Sequence, residues 1–174
     1  TGMGIVSCLG LSLDQVSRSL RDGISGIVLD SSRKNLGFRS GLTGQIPSFD
    51  LSVWGINRKQ AKSMGEAALY ACAAASDALK NAGLESKDLS ENTGLIVGND
   101  SGVKNSHEAV DTVLREKDTK TVGSGAIFKC MNSTVSMNLS TLFGIRGYNI
   151  TLSGACASGA HALGHALHLL RMGL

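Results

Sequence analysis

Between Gly147 and Gly159 the chain reads Gly-Tyr-Asn-Ile-Thr-Leu-Ser-Gly-Ala-Cys-Ala-Ser-Gly. This stretch narrows the possible folds more than any other. Tyr148 to Leu152 has the aromatic and β-branched content of a strand. Ser153-Gly154 makes a tight turn, and a last helix opens at Cys156, with Leu163, Leu167, Leu170 and Leu174 on one face. A strand that turns straight into a helix belongs to a layered α/β architecture. The rest of the chain repeats that alternation. Thr93 to Gly98 reads as a buried strand running into a loop, and short strands are expected near Gly44-Gln45-Ile46 in an otherwise polar excursion over 24–56. Residues 1–6 look like the turn after a strand whose body lies upstream.

Helix signals fill the intervals. Ser12-Leu13-Asp14-Gln15 reads as a capping box before the stripe Leu13, Val16, Leu20, with Gly23 as terminator. Asn57 caps a long helix from Arg58 to Ala82, with Gln60 three residues on and Gly83 closing it. Its middle is nearly all alanine, which lets another backbone come close. A modest helix is expected over His107 to Leu114 with Val110, Val113 and Leu114 inward. After a basic loop from Lys117 to Gly125, another helix is expected from Ala126 to Leu142, ending at Gly144. With 22 glycines, one proline and 4% aromatic residues, such a fold depends on close backbone approaches rather than large side-chain plugs. No repeat and no linker divides the 174 residues.

Several functions are excluded. Gly2-Met3-Gly4 starts a dinucleotide fingerprint but has Ser7 where the third glycine belongs. A net charge of +3 with few aromatics does not suit nucleic acid. The purest apolar run, Ala67 to Ala75, is far short of the ~20 residues a bilayer span needs, and no basic-then-apolar secretion signal is visible. Cys8, Cys72, Cys130 and Cys156 form neither a C-x-x-C pair nor a disulfide framework, so reduced thiols in a cytoplasmic setting are expected. Cys8, Cys72 and Cys130 sit among apolar or small residues and read as structural.

Cys156 is different because of where it stands. A helix N-terminus offers unpaired N–H groups and the positive end of the helix dipole, which favour an anionic sulfur and a developing oxyanion. Gly154, Ala155, Ala157, Ser158 and Gly159 leave room beside it for an acyl substrate. A small buried helix cysteine fits the same residues, and the residues alone do not choose between these readings. His161, His165 and His168 share the face opposite the leucines. His161 therefore points roughly 140° from Cys156 and makes a poor base for it. The i, i+4, i+7 histidines lack a completing acidic residue or cysteine, so no metal site is expected.

The segment from Gly147 to Leu163 resembles the active-site signature of the β-ketoacyl-acyl-carrier-protein synthases. The likeness extends along the chain through Thr1 to Ser7, Gly23 to Ile27, the helix from Arg58, Ala82-Gly83-Leu84 and Lys120 to Gly123. It is nearest the synthases I and II of fatty-acid elongation. It implies an α/β thiolase-like fold, a mixed sheet layered with helices, of which residues 1–174 would be the N-terminal half, truncated at both ends. It implies Cys156 as the nucleophile that accepts an acyl chain from carrier-protein phosphopantetheine, its N–H forming part of the oxyanion hole, before condensation with decarboxylated malonyl-carrier protein. No cofactor is implied. Ser101, Met131 and Ala155 match positions at the acyl pocket, Met131 often reaching it from the neighbouring subunit. A homodimer is implied around the strand Tyr148 to Leu152.

Two departures matter. The family's catalytic histidines, lysine and glutamate lie in its C-terminal half, and none of the four histidines here maps onto them. The stretch Gly98-Asn99-Asp100-Ser101-Gly102 stands where the family commonly has glycines and serine, so chain-length preference is open. A polyketide or specialised-lipid ketosynthase, or a non-catalytic dimerisation partner, are the competing readings. The retained cysteine argues against the last.

Arg58, Lys59 and Lys62 fall in the first turns of their helix, where cations oppose the macrodipole at a cost of ~0.3–1 kcal/mol each. A solvated face and a docking face are both compatible with that. The resemblance assigns these three, with Lys117 and Lys120, to docking of an acidic acyl carrier protein. Asp100 and Glu66 have no evident carboxylate partner and receive no acid/base role.

Overall fold

The computed structural model describes residues 1–174 and contains eight α-helices and four short strands. Helices α1 (Leu13–Arg21), α2 (Ser31–Asn35), α3 (Arg58–Ala61) and α4 (Glu66–Asn81) occupy the first half with strands β1 (Ile27–Leu29) and β2 (Leu42–Gly44). The second half holds β3 (Leu95–Gly98), α5 (Val103–Glu116), α6 (Ala126–Cys130), α7 (Thr134–Phe143), β4 (Asn149–Leu152) and α8 (Ser158–Arg171). β1 and β2 form an antiparallel hairpin around α2, while β3 and β4 pair in parallel with Leu95 beside Asn149 and Gly98 beside Leu152. Parallel pairing needs a long crossover, and α5, α6 and α7 supply it.

The core lies between α4 and α7. Ala68, Cys72 and Ala73 on α4 meet Val135, Leu139 and Phe143 on α7, with Trp54, Ile56 and Met64 closing one end. Each large apolar side chain buried there contributes on the order of 1.5–3 kcal/mol. Phe49 stacks edge-on against Trp54 with centroids 4.9 Å apart. The alanine face of α4 does what its composition suggests. Gly2 and Gly4 lie directly against the backbone of Ala74, Ala78 and Ala82, so close that a Cβ on either would collide with backbone atoms. Residues 1–6 thus pack on α4 in an extended path outside any strand.

Local signals placed many boundaries correctly. Ser12 Oγ accepts the Gln15 N–H at 3.3 Å, but Gln15 Oε1 reaches back to the N–H of Leu11 rather than of Ser12. Asn57 and Gln60 form the reciprocal capping box, and Gly144 ends α7 with φ of 68°. Other expectations fail for tertiary reasons. The single helix from Arg58 to Ala82 is two helices, broken at Lys62 to Gly65, where Met64 turns into the core at 5% exposure. The helix from Ala126 to Leu142 is likewise broken at Met131 to Ser133. Residues 103–116 form one helix, longer than expected. Val110 and Leu114 on it are exposed, not inward, while Val113 is half-buried. Glu66, without a carboxylate partner, instead pairs with Lys104 at 2.8 Å.

Candidate active site

The parallel pair β3–β4 sets the site, because both strands deliver their following loops to the same edge. The ladder runs one step past the strands, with Asn99 N–H donating to Leu152 carbonyl at 3.0 Å. The loop carrying Ser101 therefore starts beside the turn carrying Ala155 and Cys156. A third segment joins them. Asn99 Nδ2 donates to the Asn132 carbonyl at 2.7 Å, and Gly102 lies against the Cys130 backbone. Met131 between these contacts sits next to the Ser101 loop. Ser101 itself accepts the Val103 N–H at 3.3 Å.

The turn after β4 is tighter than a simple strand-to-helix junction. Ala155 to Ala157 form a 3₁₀ turn and α8 begins only at Ser158, so Cys156 stands just before the helix rather than in its first turn. Ala155 has φ of 49°, a left-handed conformation that costs a non-glycine residue on the order of 1–2 kcal/mol. Such strain persists only where surrounding contacts hold it. Ser158 holds it: its Oγ accepts the Gly154 N–H at 2.9 Å and donates to the Ala155 carbonyl at 2.7 Å, and the residue is 5% exposed.

Gly98 supplies the second constraint, since the end of β3 lies directly against the Ser158–Gly159 backbone where no Cβ fits. Cys156 is exposed and unpaired, and its N–H donates to no protein acceptor. A surface thiol beside a free N–H at a helix start can attack an acyl carbonyl and receive its oxyanion. Burial keeps Cys72 out of such chemistry, with its thiol pushed up to about 12. Cys8 and Cys130 are half-buried.

His161 packs against the turn: its ring Cδ2 lies 2.8 Å from where a Cβ on Gly154 would stand. His165 lies alongside Tyr148, its Nε2 3.4 Å from the tyrosine hydroxyl. No group of three His, Cys, Asp or Glu side chains is arranged to hold a metal.

Arg58, Lys59 and Lys62 are exposed on and just after the single-turn helix α3, and Lys117 and Lys120 on the loop after α5. Gly125, at the end of that loop, comes within 3.7 Å of the Lys62 carbonyl, measured from the position its Cβ would take. The end of that loop therefore adjoins the segment that follows α3. Lys120 pairs loosely with Asp118 at 3.7 Å, while Arg58, Lys59, Lys62 and Lys117 take part in no ion pair. The sequence reading missed Gly98 and the holding role of Ser158. Ser158 stands two residues after Cys156, which was its one signal, and nothing local in the sequence marked Gly98.

A strained turn that presents a thiol between a parallel strand and a helix, on layered α/β elements, defines a protein of the thiolase-like class. The chain belongs to the β-ketoacyl synthase family: the family model "Beta-ketoacyl synthase, N-terminal domain" matches residues 1–174. It is 38% identical to 3-oxoacyl-[acyl-carrier-protein] synthase 1 of Haemophilus influenzae and 36% identical to that of Escherichia coli, over 99% of this chain and 43% of each relative. A solved β-ketoacyl synthase from Burkholderia phymatum superposes with a TM-score of 0.82 at 30% identity, covering 99% of this chain and 43% of that one. An ishigamide ketosynthase/chain length factor gives 0.86 at 26% identity, with the same coverage. The chain thus spans less than half the length of the relatives it matches. No helix is long and apolar enough to cross a membrane.

Proposed function

We propose that residues 1–174 are the N-terminal, acyl-accepting half of a cytoplasmic 3-oxoacyl-acyl-carrier-protein synthase of fatty-acid elongation, homodimeric when intact. The observation that carries this reading is the exposed Cys156 on its strained turn, within a chain whose family is settled along its whole length. The Cys156 sulfur attacks the thioester carbonyl of an acyl-phosphopantetheine. The carbonyl oxygen takes the electron pair and is held by the Cys156 N–H. Collapse expels the phosphopantetheine thiolate, which takes up a proton, and leaves the acyl group on Cys156.

Ala155, Ser101 and Met131 line the path of the acyl chain, and Arg58, Lys59, Lys62, Lys117 and Lys120 face the acidic carrier. Condensation with a malonyl group and loss of carbon dioxide require acid and base groups that none of this chain's histidines supplies. Incubation of the full-length synthase with acyl carrier protein bearing a saturated acyl chain, followed by peptide mass spectrometry, tests the assignment. The acyl mass is expected on Cys156, and its appearance on Cys8, Cys72 or Cys130 instead refutes it. The superposition on a ketosynthase/chain length factor favours one other reading, a polyketide-type ketosynthase. Accumulation of poly-β-keto products rather than single extensions distinguishes it.

A further inference from the structure

The break that divides the expected long helix at Lys62 to Gly65 has a polar anchor. Ser63, in that break, brings its hydroxyl to 3.2 Å from Asn138 Oδ1 and 3.1 Å from the Gln60 carbonyl. Asn138 is 4% exposed in the middle of α7, and its Nδ2 donates to the Thr134 carbonyl at 2.7 Å. A carbonyl only accepts, so the amide orientation is fixed and Oδ1 faces Ser63. Ser63 is the one donor that reaches this buried oxygen, its single hydroxyl hydrogen being shared between Oδ1 and the Gln60 carbonyl. Two residues earlier on α7, Ser136 shares a 2.7 Å hydrogen bond with Thr151 on β4. β4 leads directly into the turn that holds Cys156.

One helix is therefore pinned at two points, to the break behind the basic patch and to the strand behind the nucleophile. Apolar packing alone between α4 and α7 tolerates sliding. Buried, directional hydrogen bonds fix register. A substrate carried on a tether of set length needs a set separation between where its carrier docks and where the sulfur waits.

We propose that Ser63 and Asn138 are positioning residues that hold the basic docking patch of α3 at a fixed place relative to Cys156. This rests on the carrier-docking reading above. Ser63 touches neither substrate nor sulfur, so its contribution is specific to substrates that arrive on a carrier.

The test compares Ser63→Ala and Ser63→Thr with the parent in the full-length synthase. Each is assayed with an acyl chain on acyl carrier protein and with the same chain as a free pantetheine thioester. Ser63→Ala is expected to lower kcat/KM for the carrier-bound substrate by a factor of about five or more, the loss that one buried hydrogen bond represents. Turnover of the free thioester and the rate of Cys156 alkylation stay at parent values, and Ser63→Thr restores the carrier-bound rate. Equal losses on both substrates show a merely structural role and overturn the proposal, as does no loss on either. The triple charge reversal R58E/K59E/K62E runs alongside. If it leaves carrier-bound turnover unchanged at low salt, the docking reading falls and takes this inference with it. If it lowers that turnover while Ser63→Ala does not, the positioning inference alone falls.

Discussion

Replacing Gly98 by alanine adds one methyl group at the point where β3 supports the start of α8. The added carbon would stand 2.6 Å from the Gly159 nitrogen and nearer still to the Ser158 carbonyl. Ordinary contact begins at 3.4 Å, so the first turn of α8 must retreat by about 1 Å to clear the Ser158 carbonyl. Both obstructing atoms are backbone, and no side-chain rotation can absorb the shift. Overpacking of this kind costs roughly 1–3 kcal/mol. With a urea slope of about 2 kcal/mol per molar, the unfolding midpoint falls by roughly 0.5–1.5 M.

The retreat also moves Ser158, which holds the Gly154–Ala155 turn, and so shifts the sulfur by a comparable distance. A misplacement near 1 Å costs up to ~100-fold in rate, so acyl transfer to Cys156 is expected to fall by one to two orders of magnitude. Gly159→Ala is the matched control, one helical step away. A Cβ there meets nothing within 4 Å, and alanine in a helix is better than glycine by ~0.5–1 kcal/mol. That variant is expected to unfold at slightly higher urea. A Gly98→Ala protein with the parent midpoint and undiminished acyl transfer refutes the reasoning. So does a Gly159→Ala protein whose urea midpoint falls as far as that of Gly98→Ala.

Ser158→Ala removes the hydroxyl that accepts the Gly154 N–H and donates to the Ala155 carbonyl in a half-exposed turn. The expected loss is about 1 kcal/mol in urea unfolding, with faster hydrogen exchange at the Gly154 amide. The Asp30 carboxyl is held below its ordinary range by the Ser32 hydroxyl and then by the Ser32 N–H, and that of Asp50 by the Ser52 N–H and then its hydroxyl. A depressed folded pKa means stability that is present above the unfolded value near pH 4 and lost as pH falls through the folded value. The double variant D30N/D50N is expected to flatten the acid limb of a pH–stability curve. Cys72 has the opposite sign. Its folded thiol sits near 12 against about 8.5 unfolded, so its contribution is intact below the unfolded value and lost as pH climbs toward 12. At pH 8 iodoacetamide is expected to label exposed Cys156 first and Cys72 only under unfolding urea, checked by peptide mass spectrometry.

How much was readable in advance depended on the range of the interactions involved. The capping of α1 by Ser12 and of α3 by Asn57 with Gln60, the left-handed stop at Gly144 and the strand over residues 149–152 were legible because each is settled within a few residues. The same holds for the turn at Cys156, although its 3₁₀ geometry was not foreseen. The inward placement of Val110 and Leu114 failed because periodicity names an apolar face without naming what covers it.

The sequence by itself determined the layered α/β class, the place of the turn that carries Cys156 and the alanine face that admits a second backbone. Those properties follow from hydrophobic period, small residues and caps, all local. Only the tertiary structure decided that the alanine-rich helix breaks at Ser63, where Met64 gains burial and Asn138 gains a donor. It also decided that Gly98 bears the start of α8, and that the loops of Ser101 and Met131 meet at the end of the β3–β4 pair. These pairings join residues tens of positions apart, through a parallel strand pair that no local pattern specifies. Burial and directional hydrogen bonding select among alternatives that propensity leaves equal, and here they assembled the site.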